Sequence, residues 1–348
     1  MATFNDSFIK ACKMEPSDRI PVWFMRQAGR YQKEYMAIKE KYTLVEICKN
    51  PEVTAEVTLL PVNQFDVDTA IIFSDILIPL EPMGIDFDYV KGYGPKIYNP
   101  IRTVKDVENL KPIFPEKDLW YTGEAHQLLA SQLNIPCIGF VGAPFTLASY
   151  MIEGGPSKNY AIMKAFMYNE TETWHKLMDK LATEMAVYCN YQVDCGAQVL
   201  QIFDSWAGAL SREDYQEYVF PHMLKMNKLI KDHTDAPVIN FGVGCSHFLD
   251  LHKELGGQVV GIDWKTNLFD AWENTLNHEV AVQGNLDPTL LFANWNVVES
   301  KARAILERVD RPGFIFNLGH GILPGTPVEN VRKLADLVHE YAPAKALL

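Results

Sequence analysis

The sequence has no uncharged apolar run of the roughly 18 residues a membrane span requires, and no Lys/Arg block of the kind that tracks a phosphate backbone. With 32 Lys plus Arg against 44 Asp plus Glu the formal charge is −12, so the chain as a whole repels nucleic acid and anionic lipid. An anionic small molecule would need a local cluster of positive charge. The six cysteines (Cys12, Cys48, Cys137, Cys189, Cys195, Cys245) are scattered, with no CxxC and no CxxC/HxxxH pairing. This argues against a disulfide framework or a structural zinc site and for reduced, mostly buried thiols. The opening MATFNDSFIKACKMEPSDRI lacks the apolar stretch of a signal peptide and the Arg/Ser-rich pattern of a transit peptide. A cytoplasmic protein is expected, engaging neither nucleic acid nor membrane. No GxGxxG opens a helix after the first apolar run, and P-loop, GxSxG and metal-binding triad patterns are missing too. Dinucleotide, P-loop and serine-hydrolase chemistry are therefore disfavoured, and no metal is expected.

What is present is a globular composition, 48% apolar and 22% charged. Eight short runs of apolar, β-branched or aromatic residues recur: 21–26, 69–76, 136–144, 198–205, 236–244, 258–265, 279–288 and 313–321. Several are apolar on consecutive positions, as parallel strands covered on both faces must be. Helix-like stretches lie between them. In 294–309 the residues Val297, Ala304, Ile305 and Val309 are expected on one side, and in 328–341 Val331, Leu334, Leu337, Val338 and Tyr341. Eight strands alternating with helices predict an α/β fold, a single (β/α)₈ TIM barrel. The runs are unevenly spaced, so insertions belong in the early βα units, and the Pro/Gly-rich stretch 79–118 is one of them.

In a barrel, chemistry collects where strands end. The first run ends in MRQAGRYQKEY, and Arg26 and Arg30, four apart, share a side if the segment turns helically. They could grip carboxylates or simply be an exposed pair near acidic side chains. Asp75 ends the second run and could cap a loop or accept N–H donors. Tyr150 falls one turn into the helix after the third run, where a core role competes with a binding one. Asp204 and Ser205 end the fourth run, the former able to orient an arginine and the latter to donate to a ligand. Of nine histidines, His320 stands out between Gly319 and Gly321 at the last tip, glycines expected to expose its ring and to permit unusual backbone angles. Together these groups suit a polycarboxylate ligand.

PVWFMRQAGR (21–30) resembles the first signature of the uroporphyrinogen decarboxylase family, and GFVGAPFTLASYMIEG (139–154) resembles the second. FSDIL, FDSWAG, GIDWK, VQGNLDP and FNLGHGILPGTP follow in the family's order, so the likeness runs from about residue 4 to residue 342. The resemblance implies one barrel domain over 1–348, a homodimer, and a carbon–carbon lyase of tetrapyrrole biosynthesis. The implied reaction is stepwise decarboxylation of the four acetates of uroporphyrinogen III to coproporphyrinogen III, with neither metal nor organic cofactor. Carried over by position, it assigns Arg26, Gln27, Ala28, Gly29 and Arg30 to substrate binding, the two arginines also to catalysis, and Asp75 to transition-state stabilisation against pyrrole N–H groups. Tyr150, Ser205 and His320 become polar contacts, and Phe140 and Phe203 line the cleft. Ser205 stands where many members carry Thr; both present a hydroxyl. On this assignment an ionised Asp75 favours the cationic, protonated pyrrole that accepts the electrons of the departing carboxylate. The proton donor is left between His320 and a water. The rival functions are a zinc-dependent methyltransferase of the same superfamily and a non-catalytic porphyrin binder. The first needs a His and Cys at the fifth tip and a Cys near the eighth, where Asn240, Phe241, Gly242 and Gly319, His320, Gly321 stand instead.

Overall fold

The computed structural model describes residues 3–341; the first two and last seven residues of the expected 1–348 domain lie outside the described residues. The strands, in chain order, are β1 (Ala70–Ile71), β2 (Phe87–Val90), β3 (Gly94–Ile97), β4 (Cys137–Gly142), β5 (Val199–Asp204), β6 (Val238–Gly242), β7 (Val259–Gly261), β8 (Ala281–Leu286) and β9 (Phe314–Leu318). Seven of them form one parallel sheet in the order β1-β4-β5-β6-β7-β8-β9, and β2 and β3 pair separately as an antiparallel hairpin. β6, β7, β8 and β9 are buried at every position, as strands of a parallel sheet covered on both faces are, and Asn240, Gln283, Asn285 and Asn317 are buried polar residues among them. The longest helix, Thr171–Asp194, buries Trp174, Leu177, Met178, Leu181 and Met185 at the three- and four-residue spacing of one helical face.

The sheet is strongly curled. Gln283 on β8 donates from Nε2 to Gln201 Oε1 on β5 at 3.2 Å, although β6 and β7 separate the two strands. Trp23 Nε1 donates to Gln283 Oε1 at 2.8 Å, so a buried polar chain crosses the concave side.

The first expected strand, 21–26, is not a strand among the described residues. It makes one bridge, Val22 to Phe316, with Phe316 N–H donating to Pro21 O at 2.9 Å and Asp68 N–H to Val22 O at 2.8 Å. Side-chain acceptors replace the ladder: Asp68 Oδ2 takes Val22 N–H, Gln27 Oε1 takes Phe24 N–H and Asn317 Oδ1 takes Met25 N–H. The second expected strand shrinks to the two residues of β1. The insertion after it, 79–118, is real and holds the β2/β3 hairpin and two short helices, Val104–Glu108 and Pro115–Asp118; helix Trp120–Ala130 follows before β4. Helix Trp295–Leu306 buries Val298, Ala302 and Leu306; of the expected inward residues Val309, just past the helix, is buried and Ile305 packs against the core, while Val297 is 44% exposed and Ala304 is exposed too. Helix Val328–Glu340 buries Val331, Leu334, Leu337 and Val338 as expected. All six cysteines are free, Cys195 alone among them being only partly buried.

Candidate active site

The carboxyl ends of the strands carry nearly every side chain singled out above. The segment 25–30 is a chain of turns rather than a helix, which corrects the helical expectation for the arginine pair. Arg26 has φ +59°, a left-handed conformation costing a non-glycine residue roughly 1–3 kcal/mol. Its neighbour holds it there: Gln27 is wholly buried, accepts Phe24 N–H at 3.2 Å and donates to Thr69 O at 3.1 Å, while its own carbonyl accepts the Tyr31 hydroxyl at 2.6 Å. Gln27 therefore braces the turn, its amide oxygen and nitrogen each bonded to the backbone. Ala28 and Gly29 are half-buried between the two arginines, and Gly29 N–H is held by Gln32 Oε1.

Turned by this geometry, the Arg26 side chain lies across the last tip. A Cβ on Gly321 would sit 2.5 Å from Arg26 Cδ. One on Gly319 would sit 2.1 Å from Trp264 N. Neither glycine has positive φ, so close approach, not unusual backbone angles, is what both positions require. Arg26 and Arg30 are exposed, and among the described residues neither side chain has an ion pair or hydrogen bond. Every other arginine is paired, bonded or stacked.

Asp75 follows β1, whose exit is tied to helix Pro51–Phe65 by Phe73 N–H donating to Thr58 Oγ1 at 2.9 Å. Its Oδ1 accepts Leu77 N–H at 2.9 Å. The side chain is half-buried. Desolvation pushes its pKa above the usual carboxylate value, and the Tyr89 hydroxyl, Leu77 N–H and Arg26 pull the other way. The expectation of a simply ionised carboxylate is thus modified: burial works against the charge.

Helix Pro144–Glu153 starts with Pro144 at its first position. It is latched to the tip of β5 by Thr146 Oγ1, which donates to Asp204 Oδ1 at 2.8 Å and accepts Trp206 N–H at 3.3 Å. One turn later Tyr150 packs on Trp206, rings tilted by 33° with centroids 3.9 Å apart, within electrostatic reach of Asp75 and Arg26, both of which act on its titration. Asp204 orients this latch and no arginine; burial raises its pKa to about 7. Ser205 is half-buried between Asp204 and Trp206. Phe140 and Phe203 meet edge to face at 5.5 Å, both half-buried at the mouth of the curl.

His320 Nδ1 accepts Gly321 N–H at 2.7 Å, so its proton sits on Nε2 and the ring is neutral. Burial, then the Arg26 charge, lowers its pKa to about 4. Trp264 packs against it edge to face at 5.9 Å. Trp206 and Trp264 are site neighbours in turns at the tips of the fourth and sixth runs that were not singled out there, and Tyr89, in the β2/β3 hairpin, lies away from every run, so that only tertiary packing brings it in.

Two unpaired guanidiniums, a half-buried carboxylate, a neutral imidazole and several aromatic rings place the chain among α/β enzymes whose sites lie at the carboxyl ends of a parallel sheet. A family model described as uroporphyrinogen decarboxylase (URO-D) matches residues 3–341. A uroporphyrinogen decarboxylase from Koribacter versatilis is 50% identical over 345 residues, 98% of each chain. One from Bacillus velezensis is 50% identical over 344 residues, 98% of this chain and 97% of its own. The chain belongs to the uroporphyrinogen decarboxylase family. Among solved structures, a methyltransferase from Methanosarcina mazei superposes with a TM-score of 0.80 at 19% identity, covering 98% of this chain and 99% of its own, a likeness of fold alone. At the tip where a methyltransferase would need soft ligands, Asn240 is buried and donates from Nδ2 to Asn227 Oδ1 at 3.1 Å. No helix among the described residues is long and apolar enough to cross a membrane.

Proposed function

We propose that this chain is a cofactor-free carboxy-lyase that converts the four acetate side chains of uroporphyrinogen III to methyls, giving coproporphyrinogen III. It would act as a single closed (β/α)₈ barrel in a cytoplasmic homodimer. The observation that carries the reading is Arg26, a guanidinium with no ion pair or hydrogen bond among the described residues, acting on the Asp75 carboxylate, with the likewise unpartnered Arg30 on the same turn segment, on a chain half identical to named uroporphyrinogen decarboxylases. Barrel closure is supported by residues 21–24, which bond β9 on one side and Asp68 on the other.

In each step a proton adds to a pyrrole α-carbon and makes the ring an iminium-like acceptor. The bond between the acetate carboxylate and its methylene then breaks, carbon dioxide leaves, and the electron pair flows into the ring. Protonation of the exocyclic carbon and loss of the ring proton restore the pyrrole, so that one proton is consumed per carbon dioxide released. Arg26 and Arg30 grip substrate carboxylates through charge-assisted hydrogen bonds. Asp75 faces the pyrrole N–H groups and stabilises the cation more than the neutral ground state. The neutral His320 presents Nε2–H as a donor, and a bound carboxylate beside it raises its affinity for a proton. Tyr150 and Ser205 supply hydroxyls, and Phe140 and Phe203 an apolar surface for the macrocycle.

The test is Asp75→Asn, assayed anaerobically with uroporphyrinogen and chromatography of the oxidised products. A loss of about 10²- to 10³-fold in kcat with substrate binding kept is expected, the scale of losing one preorganised electrostatic contact. Near-full turnover by this variant would remove Asp75 from its role.

A further inference from the structure

The β2/β3 hairpin takes no part in the reaction as described, yet it is pinned to the site. Ile97 N–H donates to Gly154 O at 2.9 Å and Ile101 N–H to Met151 O at 2.9 Å, both on the last turn of the Tyr150 helix or just beyond it. Asn99 braces the hairpin's base, accepting Asp86 N–H and donating to Gly84 O, each at 2.8 Å. Along β2 the residues alternate: Asp88 and Val90 are exposed, while Phe87 and Tyr89 turn inward and pack edge to face at 6.1 Å. The Tyr89 hydroxyl is buried and, among the described residues, satisfies no complete hydrogen-bond geometry. It lies against the Asp75 carboxylate. A buried hydroxyl without a partner is costly, and this carboxylate is an acceptor able to relieve it.

We propose that Tyr89 is a positioning residue for Asp75, its hydroxyl donating to the carboxylate so that the charge is held and aimed into the cleft. An ionised carboxylate has about four acceptor directions. Leu77 N–H and Tyr89 O–H take two from the protein side and leave the others for N–H donors of a ligand. The inference rests on Asp75 being the stabilising carboxylate of the proposed reaction. The other titratable and charged groups within electrostatic reach of Asp75 are Arg26 from the first turn, Tyr35 from helix Lys33–Lys39, Cys48 from helix Leu44–Cys48 and Tyr150 from helix Pro144–Glu153. Burial keeps the Tyr35 and Tyr150 phenols and the Cys48 thiol neutral. Arg26 is the charge in this set and Tyr89 its hydroxyl donor.

Tyr89→Phe keeps the ring against Phe87 and removes the donor. Two readouts are measured: the pH profile of kcat/KM, and titration of the Asp75 carboxyl in the substrate-free enzyme by difference infrared spectroscopy, with Asp75→Asn as the blank. Both the acid limb and the carboxyl midpoint should rise by about one pH unit, the scale of one hydrogen bond to a charged group. The loss in kcat/KM should be recovered at higher pH, and Tyr89→Phe should add nothing on top of Asp75→Asn. An infrared midpoint unmoved in Tyr89→Phe overturns the proposal. A midpoint that moves while Asp75→Asn turns over normally supports the Tyr89 contact and removes instead the catalytic role of Asp75.

Discussion

Replacing Gly321 by alanine should detach Arg26 from the site without unfolding anything. The new Cβ would lie 2.5 Å from Arg26 Cδ, 2.7 Å from Cγ and 3.1 Å from Nε. These are atoms of a long, exposed side chain with no protein partner, so the guanidinium moves aside and the backbone stays. Stability should change by less than about 1 kcal/mol. The ligand loses a charge-assisted hydrogen bond worth about 1.5–3 kcal/mol, which predicts a fall of about ten- to a hundredfold in kcat/KM, mostly through KM. Gly319→Ala, two residues away, is the contrast. There the added carbon would meet Trp264 N at 2.1 Å and its Cα at 2.7 Å, backbone against backbone, and overpacking of this kind costs roughly 1–3 kcal/mol or more. Steady-state kinetics on uroporphyrinogen and thermal melting of both variants decide the matter. An unchanged KM in Gly321→Ala, or equal loss of melting temperature in the two, would refute the claim that Gly321 exists to let Arg26 lie across the tip.

Two further perturbations test the scaffold through pH. Asp204, raised by burial to about 7 from an ordinary 3.8, contributes stability in its protonated form that is lost as pH rises through 7. Asp204→Asn keeps the acceptor for Thr146, so its stability relative to the native chain should improve by a few kcal/mol between pH 5 and pH 8 in denaturant titrations; a pH-independent difference would count against a buried, proton-holding carboxyl. Asp68 behaves oppositely. Burial pushes its pKa up, but the His339 hydrogen bond and charge, Arg19 and Val22 N–H outweigh that and hold it below the ordinary value. Its contribution is present above the unfolded-state value and lost as pH falls through the folded one. Asp68→Asn should therefore cost about 1–3 kcal/mol at pH 7 and progressively less below about pH 4, and a cost that stays constant into acid would show that the ion pairs contribute nothing.

Local pattern carried a great deal here. The apolar-rich runs containing 238–242 and 281–286 are legible as covered strands although Asn240, Gln283 and Asn285 interrupt them, and the helix Val328–Glu340 is legible because its inward residues recur every three or four positions. Where local signals were weak the pattern misled. Val297 and Val298 are chemically alike neighbours on helix Trp295–Leu306, and only docking decides which turns inward. The 21–26 run is apolar enough for a strand, but Asp68, Gln27 and Asn317 take its N–H groups. Two of those acceptors are far away along the chain, so no window of sequence reveals the substitution.

The site divides the same way. Arg26, Arg30, Asp75, Tyr150, Ser205 and His320 were all marked out at or near the ends of apolar runs, because a parallel α/β sheet delivers strand ends to one rim and chemistry needs polar groups there. Tertiary structure alone decided what each can do. It turned Gln27 inward as scaffold, gave Asp204 to Thr146 in place of an arginine, laid Arg26 over Gly321, and buried His320, which with the Arg26 charge lowers its pKa. It also carried Tyr89 across the hairpin to Asp75. Residue type and strand-end position are local properties that the sequence by itself determines; protonation, orientation and partnership depend on atoms supplied by distant segments, and they exist only once the sheet has curled.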